Sequence, residues 1–323
     1  MEERTISKRT FIIGTRGSKL ALTQTQWVVG ELRRRFPAIT FEIKTITTKG
    51  DVHRDLPFAS VGGKGLFTKE IENALLAGEA ALAVHSMKDL PTEIHPELEI
   101  GAVPAREDPH DVLISRRPGG LAALPQGAKI GTSSLRRRAQ LLAARPDLEI
   151  QEFRGNLDTR LRKLAEGGLD AIVVAHAGLN RLHVQPENLQ VIPYDIMLPA
   201  VGQGALAVEI RKDDAEARGV VAAIDDPATH RCVEAERALL AGLEGGCQVP
   251  IGAIAEPTSD GQIHLRAVVC SLDGRTAVRG ELRGAAAAAA QVGAELAKRL
   301  RDEGAEKILE SVRGKQARRG ITS

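Results

Sequence analysis

One cysteine stands in a glycine-rich stretch, residues 244–252, which reads EGGCQVPIG. Two glycines precede Cys247 and a proline follows three residues later, so the backbone around this thiol bends easily. The other cysteines, Cys232 and Cys270, are too few and too scattered for a disulfide framework. Cys247 is therefore either an idle loop residue or the attachment point of a group that has to move.

Six cations stand at four junctions where an apolar stretch runs into a helical pattern. They are Arg16, Lys64, Arg136, Arg137, Arg154 and Arg160. The positive end of a helix dipole disfavours such cations by up to about 1 kcal/mol, so each one alone is typical of a solvated surface charge. Repeated at all four junctions, they indicate a site for a ligand with several carboxylates or phosphates. For the same dipole reason, we expect replacement of Arg136 or Arg137 to change stability little.

One acid also follows an apolar strand, in the stretch VHSMKDLP. Lys88 and Asp89 come after the strand, and Pro91 ends its pairing. Asp89 is either a turn-forming residue or a lasting carboxylate whose pKa nearby cations hold low. In the second case, the carboxylate of Asp89 could stabilise a cationic intermediate.

Standard ligand motifs do not account for these residues. Lys64 is followed by Gly65 rather than Ser or Thr, which excludes a P-loop, and the GxGxxA match at 202–207 leads into a strand instead of following one. The eight histidines show no metal-ligand spacing, so no metal is expected.

Alternating strands and helices must position the candidate residues. The predicted helices of the four junctions, with Ser18, Ser134 and Asn156 as N-caps, are 19–36, 66–76, 135–144 and 157–166. The alternation over 11–211 predicts an α/β fold with mostly parallel sheets, whose ligands bind beyond the carboxyl ends of the strands. The rest predicts a small α+β unit, with helices 228–243 and 285–312 and a hairpin of strands 262–270 and 276–282.

Bulk composition narrows the class of protein. A chain of 323 residues predicts two or three domains. A net charge of +2 and 2% aromatic residues argue against a nucleic-acid binder. The first ten residues have no apolar core like that of a secretory signal, and no apolar run reaches the roughly 20 residues of a membrane span. We therefore expect a cytoplasmic protein that binds neither nucleic acid nor membrane.

Seven sequence blocks occur in a fixed order. They are GTRGSKLAL, GGKGLFTKE, AVHSMKDLP, GTSSLRRRAQL, RGNLDTRL, LPAVGQGAL and LEGGCQVPIG. Together they resemble the hydroxymethylbilane synthase (porphobilinogen deaminase) family from about Ile12 to the C-terminal helix. The resemblance implies two periplasmic-binding-protein-like lobes with mostly parallel sheets plus a small α+β C-terminal domain. Its domains would be 1–104 plus 200–222, then 105–199, then 223–323.

The resemblance also implies a function. The family's members are cytoplasmic transferases of porphyrin and heme biosynthesis that condense four porphobilinogen molecules head to tail and release ammonia each time. The linear tetrapyrrole grows on a dipyrromethane cofactor, and Cys247 matches the residue that carries it through a thioether. The alternative is a two-lobed binding protein for polycarboxylate or phosphate ligands, which would need neither Cys247 nor Asp89.

Individual residues carry over from the family's motifs. Asp89 matches the catalytic acid. The positions that match substrate-binding residues are Arg16, Ser18, Lys64, Arg154 and Arg160. The positions that match cofactor-binding residues, besides Cys247, are Lys88, Thr132, Ser134, Arg136 and Arg137. The chain departs from the family at Ser60, Ala81 and His176, where Lys, Asp and a small or apolar residue are usual. A monomer is expected.

Overall fold

The structure, a computed structural model, describes residues 10–52, 68–244 and 249–321. The predictions for Ser60, Lys64 and Cys247 lie outside these residues. The described residues form two compact units, the first made of 10–52, 68–106 and 205–230 and the second of 107–204, 231–244 and 249–321. In the described part of the chain, no helix is both long and apolar enough to cross a bilayer.

The first unit is built on a five-stranded sheet whose inner strands are largely buried. Its strands, in spatial order, are β2 (Thr40–Thr45), β1 (Thr10–Thr15), β3 (Leu82–Ser86), β10 (Leu206–Arg211) and β4 (Leu98–Ala102). β1 runs parallel to β2 and β3, whereas β10 is antiparallel to both of its neighbours. Four strands therefore share one direction and the returning strand opposes them.

Helices cover both faces of this sheet. The covering helices are α1 (Lys19–Arg35), α3 (Lys69–Leu76) and α7 (Ala215–Val221), and the unit also contains the short helix α2 (Lys49–Val52). Residues of α1 and α7 bury one face in a core that contains Phe11 and Phe41. Ile71 and Leu75 of α3 bury the other face against Ala83. Burial on both faces explains why β3 and β10 lack the polar–apolar alternation of a half-exposed sheet, whereas the edge strand β2 is mostly exposed and keeps it.

The second unit contains a sheet of the same kind. Its strands, in spatial order, are β7 (Glu149–Gln151), β6 (Lys129–Gly131), β8 (Ala171–Ala175), β5 (Asp111–Ser115) and β9 (Leu189–Val191). β5 is antiparallel to both neighbours, and β6 is parallel to β7 and β8. The helices of this part are α4 (Leu135–Ala144), α5 (Leu157–Glu166) and α6 (His176–Arg181). Leu141 of α4 belongs to the core on one face, and Leu164 of α5 to the core on the other.

A three-stranded antiparallel sheet completes the second unit. Its strands, in spatial order, are β11 (Ile251–Pro257), β12 (Gln262–Cys270) and β13 (Ala277–Ala285). The helices α8 (Pro227–Gly242), α9 (Ala289–Leu300) and α10 (Glu306–Ile321) accompany it, and α8 belongs to this unit from Arg231 on. Leu239 of α8 and Leu296 of α9 share one core with Leu265 of β12.

These elements confirm the predicted fold class, two α/β sheets with mostly parallel strands and a small α+β part. The predicted hairpin of strands 262–270 and 276–282 is confirmed, and it is part of a three-stranded sheet. Two details of the prediction are wrong. The predicted helix 66–76 begins at Lys69 in the described residues. The predicted continuous helix at 285–312 breaks between α9 and α10, because Gly304 has a φ of 106°.

Candidate active site

The turn after β1 is held by hydroxyl groups. Thr25 of α1 donates its hydroxyl to Thr15 Oγ1 at 2.7 Å, at the buried end of the strand. Ser18 Oγ accepts a hydrogen bond from the backbone N–H of Ala21 at 3.2 Å, so Ser18 is the N-cap of α1 as predicted. In the sequence, Arg16 lies between Thr15 and Ser18, and its side chain is half-buried.

The turn after β3 carries Lys88 and Asp89 on a short 3₁₀ segment, Met87–Asp89. Ser86 and Gln24 of α1 exchange hydrogen bonds of 3.0 and 3.2 Å, which tie this turn to α1. Because β1 and β3 are parallel neighbours, their turns lie at the same edge of the sheet. The structure therefore brings the predicted residues of both turns to one edge of the first unit.

Asp89 is half-buried. No hydrogen bond or ion pair joins it to another residue in the described part of the chain. A turn-forming aspartate normally accepts a bond from its own backbone two residues on. The absence of such a bond among the described residues favours the second interpretation of Asp89, a carboxylate that meets something other than protein.

The turn after β6 forms a second group of predicted residues, in the second unit. Thr132 Oγ1 accepts a hydrogen bond from the N–H of Ser134 at 3.2 Å. Ser134 Oγ accepts one from the N–H of Arg137 at 3.4 Å, which makes Ser134 the N-cap of α4. A residue that was not predicted joins this turn to the next one: Ser133 Oγ donates to the carbonyl of Phe153 at 3.0 Å and accepts from its N–H at 3.1 Å.

Arg136 and Arg137 are buried, with 5% and 7% of their surface exposed. Arg136 Nη1 lies 2.6 Å from Oδ2 of Asp111, and Arg137 Nη2 lies 2.7 Å from Oδ1. The expectation that replacing either arginine changes stability little is therefore wrong. Removing one partner of a buried ion pair leaves an uncompensated charge and costs about 3–5 kcal/mol, well above the dipole effect.

Arg160 is a half-buried cation beside another cation. Its Nε donates to the carbonyl of Gly155 at 2.9 Å. Burial, and next the positive charge of Arg137, lower the pKa of Arg160 to about 10. No carboxylate pairs with Arg160 among the described residues. Two guanidinium groups that repel each other without a shared acid favour the binding of an anion.

Arg154 and Asn156 differ from the simple prediction. Arg154 Nε donates to Oε1 of the neighbouring Glu152 at 2.9 Å, so this cation already has an acidic partner within its own loop. Asn156 occupies the N-cap position of α5, but its side chain makes no capping hydrogen bond. The loop after β7 is held instead by Ser133, through the bonds described above.

One half-buried cation was not predicted. Arg181 donates Nη2 to the carbonyl of Gly204 at 2.6 Å, and burial lowers its pKa to about 10 although Glu107 opposes that shift. Arg181 lies in the last turn of α6, where the negative end of the helix dipole stabilises a cation. Because a cation at the end of a helix is favourable, the sequence position of Arg181 gives no sign that it could bind a ligand.

Two of the residues at which the chain departs from the family, His176 and Ala81, make defined hydrogen bonds. His176 Nδ1 lies 2.7 Å from Oδ2 of Asp108, and His110 Nδ1 lies 2.6 Å from Oδ1. Burial of Asp108 opposes its ionisation, but the hydrogen bonds from the backbone and ring of His110 and from His176 outweigh it and lower its pKa. Ala81 is buried, and its N–H donates to the carbonyl of Ile12 at 2.8 Å.

Two family models match this chain, and together they span most of it. Residues 11–219 match the model described as porphobilinogen deaminase, dipyrromethane cofactor binding domain, and residues 230–302 match the porphobilinogen deaminase C-terminal domain. The chain belongs to the porphobilinogen deaminase family. It is a transferase of tetrapyrrole synthesis that uses a dipyrromethane cofactor, and this membership supports the predicted activity rather than the binding-protein alternative.

Curated relatives agree over nearly the full length. Porphobilinogen deaminase of Desulforudis audaxviator is 53% identical over 306 residues, which cover 95% of this chain and 99% of the relative. That of Carboxydothermus hydrogenoformans is 50% identical over 306 residues, with 95% and 98% covered. Among solved structures, the periplasmic aliphatic sulphonate binding protein SsuA from Escherichia coli matches at 15% identity and a TM-score of 0.39, over 74% of this chain and 71% of that one. The fold assignment rests on the sheets described above and not on this likeness.

No group of three or more His, Cys, Asp or Glu side chains among the described residues stands where it could hold a metal ion.

Proposed function

We propose that this chain condenses four porphobilinogen molecules into hydroxymethylbilane on a dipyrromethane attached to Cys247. The observation that carries the proposal is the pair of mutually repelling cations Arg137 and Arg160, with no acid on Arg160 in the described residues. Each pyrrole of the cofactor carries an acetate and a propionate, so the cofactor's charges suit such a pair.

The residues of the turn after β6 fit a polycarboxylate. Arg136 and Arg137 use only part of their five N–H groups each on protein acceptors, and the rest can donate to carboxylates. We assign cofactor binding to these two arginines together with Lys88, Thr132, Ser134 and Cys247. When bound, the cofactor supplies the free pyrrole carbon on which the chain is extended.

Asp89 is the proposed catalytic residue. Its carboxylate has no protein partner in the described part of the chain and can therefore face the pyrrole nitrogen of the substrate. Positive charge develops on that pyrrole when ammonia leaves, and a fixed carboxylate stabilises it. The same carboxylate can also accept and return a proton during the substitution.

Substrate carboxylates are assigned to the remaining cations and one hydroxyl, namely Arg16, Ser18, Lys64, Arg154 and Arg160. Arg154 would exchange its exposed partner Glu152 for the substrate, at small cost because exposed ion pairs are worth about 0–1 kcal/mol. We add Arg181, a half-buried cation of the same unit as Arg154 and Arg160.

The finer description of the molecule is also proposed. We propose the three domains 1–104 plus 200–222, 105–199 and 223–323, with the anchor loop in the last. We also propose that the protein is a cytoplasmic monomer that binds no membrane. A net charge of +2 and the low aromatic content argue against nucleic-acid binding.

The test is the intact mass of the purified protein. We expect a mass above that of the sequence by one dipyrrole, and we expect Cys247→Ala to lose both this added mass and all turnover. Cys232→Ala and Cys270→Ala are the controls, because both thiols are buried in the folded chain, and burial raises the pKa of Cys270 to about 11. A loaded and active Cys247→Ala protein would exclude the anchor, and a wild-type protein of bare sequence mass would exclude the proposed function.

A further inference from the structure

Asp111 occupies a costly position for a charged residue. It is the first residue of β5, it has no exposed surface, and it pairs with Ala175, the last residue of β8. Moving a carboxylate out of water into such a place is unfavourable unless cations and hydrogen bonds compensate it. A polar but uncharged residue could begin the strand as well, so the charge itself requires an explanation.

The contacts of Asp111 divide its two oxygens between two arginines. Oδ2 accepts from Arg136 Nη1 at 2.6 Å, whereas Oδ1 accepts from Arg137 Nε and Nη2 at 2.9 and 2.7 Å. Gln203 donates its Nε2 to the same Oδ1 at 3.1 Å and to the carbonyl of Pro109 at 2.8 Å. The carboxylate is therefore fully hydrogen-bonded, and the Coulomb attraction of both arginines lowers its pKa despite its burial.

Backbone carbonyls complete the support of both guanidinium groups. Arg136 Nη1 also donates to the carbonyl of Leu198 at 2.8 Å, and Arg137 Nη1 donates to that of Val173 at 2.9 Å. Each guanidinium is thus held by at least two acceptors in different directions. Since the group is planar and rigid, two such bonds also determine where its remaining N–H groups point.

The charge balance of the cluster is incomplete without a ligand. The cluster contains three cations. The positive charge of Arg136 acts on Arg137, and that of Arg137 acts on Arg160. Asp111 is the one carboxylate bonded to any of the three in the described part of the chain. Asp111 therefore neutralises part of the positive charge and leaves the rest for an anion.

We infer that Asp111 is a positioning residue for cofactor loading: it holds Arg136 and Arg137 in fixed orientations so that the carboxylates of the dipyrromethane meet donors already in place. Preorganised donors bind an anion without first paying to order their own side chains. The inference rests on the proposed function, in which these arginines hold the cofactor.

The experiment compares Asp111→Asn with Asp147→Asn. Asp147 also binds one arginine through both oxygens, at 2.7 Å to Nε and Nη2 of Arg145, but this pair is partly exposed. Apo-protein is made in cells that produce no porphobilinogen. It is then incubated with porphobilinogen, and the loaded fraction is followed by intact mass while melting temperatures are measured before and after loading.

We expect Asp111→Asn to lower the melting temperature of the apo-protein by at least about 5 °C and to slow loading tenfold or more. Loading should raise its melting temperature by more than it raises that of the wild type, because cofactor carboxylates replace the missing negative charge. Asp147→Asn should load at the wild-type rate. If Asp111→Asn loads at the wild-type rate with a wild-type gain in melting temperature, Asp111 is merely structural and the inference is wrong.

A second variant decides the matter if Asp111→Asn does not fold. Asp111→Glu keeps the charge but moves it by one methylene, so it should recover most of the stability and still load about tenfold more slowly than the wild type. Wild-type loading by Asp111→Glu would overturn the inference. Failure of the wild type and of Asp147→Asn to load would instead contradict the proposed function itself.

Discussion

Single residues in this protein have to be interpreted through their partners. Asp89 and Asp111 are both aspartates near the ends of strands, but one has no protein partner in the described residues and the other has three. The first can therefore serve the reaction directly, whereas the second serves the residues around it. Burial and hydrogen bonding separate these roles, and residue type does not.

Asp89→Asn should separate chemistry from binding. The amide keeps the shape of the side chain and loses its charge, so we expect kcat to fall by roughly two orders of magnitude or more, as for the loss of one electrostatic stabiliser. KM should change by only a few-fold, since other residues hold the substrate carboxylates. Steady-state turnover of porphobilinogen measures both constants.

The matched control is Glu79→Gln, which removes an exposed carboxylate from the same unit. Glu79 pairs with Lys44 at 2.8 Å on the surface, so its loss should leave both constants unchanged. Turnover near the wild-type value in Asp89→Asn would return this residue to the turn-forming interpretation.

At the scale of elements, two turns of the second unit are held by contacts that reach outside them. Ser133 joins the turns after β6 and β7, and the carbonyl of Gly204 accepts bonds from Arg181 and from the N–H of Glu107. Gly204 has a φ of 88°, and a Cβ at this position would lie 2.2 Å from the carbonyl oxygen of Glu107. Both the conformation and the space require glycine there.

Gly204→Ala should therefore destabilise the protein by more than strain alone. A left-handed conformation costs a non-glycine residue about 1 kcal/mol, and the clash with backbone adds to it because backbone cannot move aside cheaply. Gly168→Ala is the control, since Gly168 has the same φ of 88° with no atom within 4 Å of the added Cβ. Urea unfolding should show the larger loss for Gly204→Ala, and equal losses would mean that the turn relaxes.

Parts of the fold were predictable at this scale. The bounds of α4 and α5 agree with the prediction because the helical spacing of their apolar residues and the stop at Pro146 or Gly167 are local signals. Strands β4, β5, β9 and β11 were not predicted. β5 and β10 run against their neighbours, and the direction in which a strand pairs depends on residues far away in the sequence.

For the whole molecule, the buried ion pairs predict an acid limit of stability. The two arginines hold the pKa of Asp111 well below its ordinary value of 3.8, and hydrogen bonds also lower the pKa of Asp108. In the unfolded chain each carboxylate binds its proton near pH 3.8. Their contribution to stability is therefore complete above that pH and is lost as the pH falls below it towards the folded pKa.

We expect the free energy of unfolding to stay nearly constant from pH 7 to about 5 and to fall below about pH 4. Each such group contributes a slope of about 1.4 kcal/mol per pH unit in the window between its two pKa values. Chemical unfolding at several pH values measures this, and Asp111→Asn should show a shallower acid limb at a lower starting stability. An equally steep limb in that variant would show that other carboxylates dominate.

The sequence by itself determined the α/β class, the family, the helix-start cations and the loop cysteine, because these depend on local spacing and on motifs read in order. Only the tertiary structure decided what the cations do. Asp111 is 25 residues from Arg136 and 26 from Arg137, and nothing in the stretch DPHDV marks it as their partner. That partnership arises because β5 pairs antiparallel with β8 and places Asp111 under the start of α4, a long-range arrangement in which burial turns two apparent surface charges into part of the core.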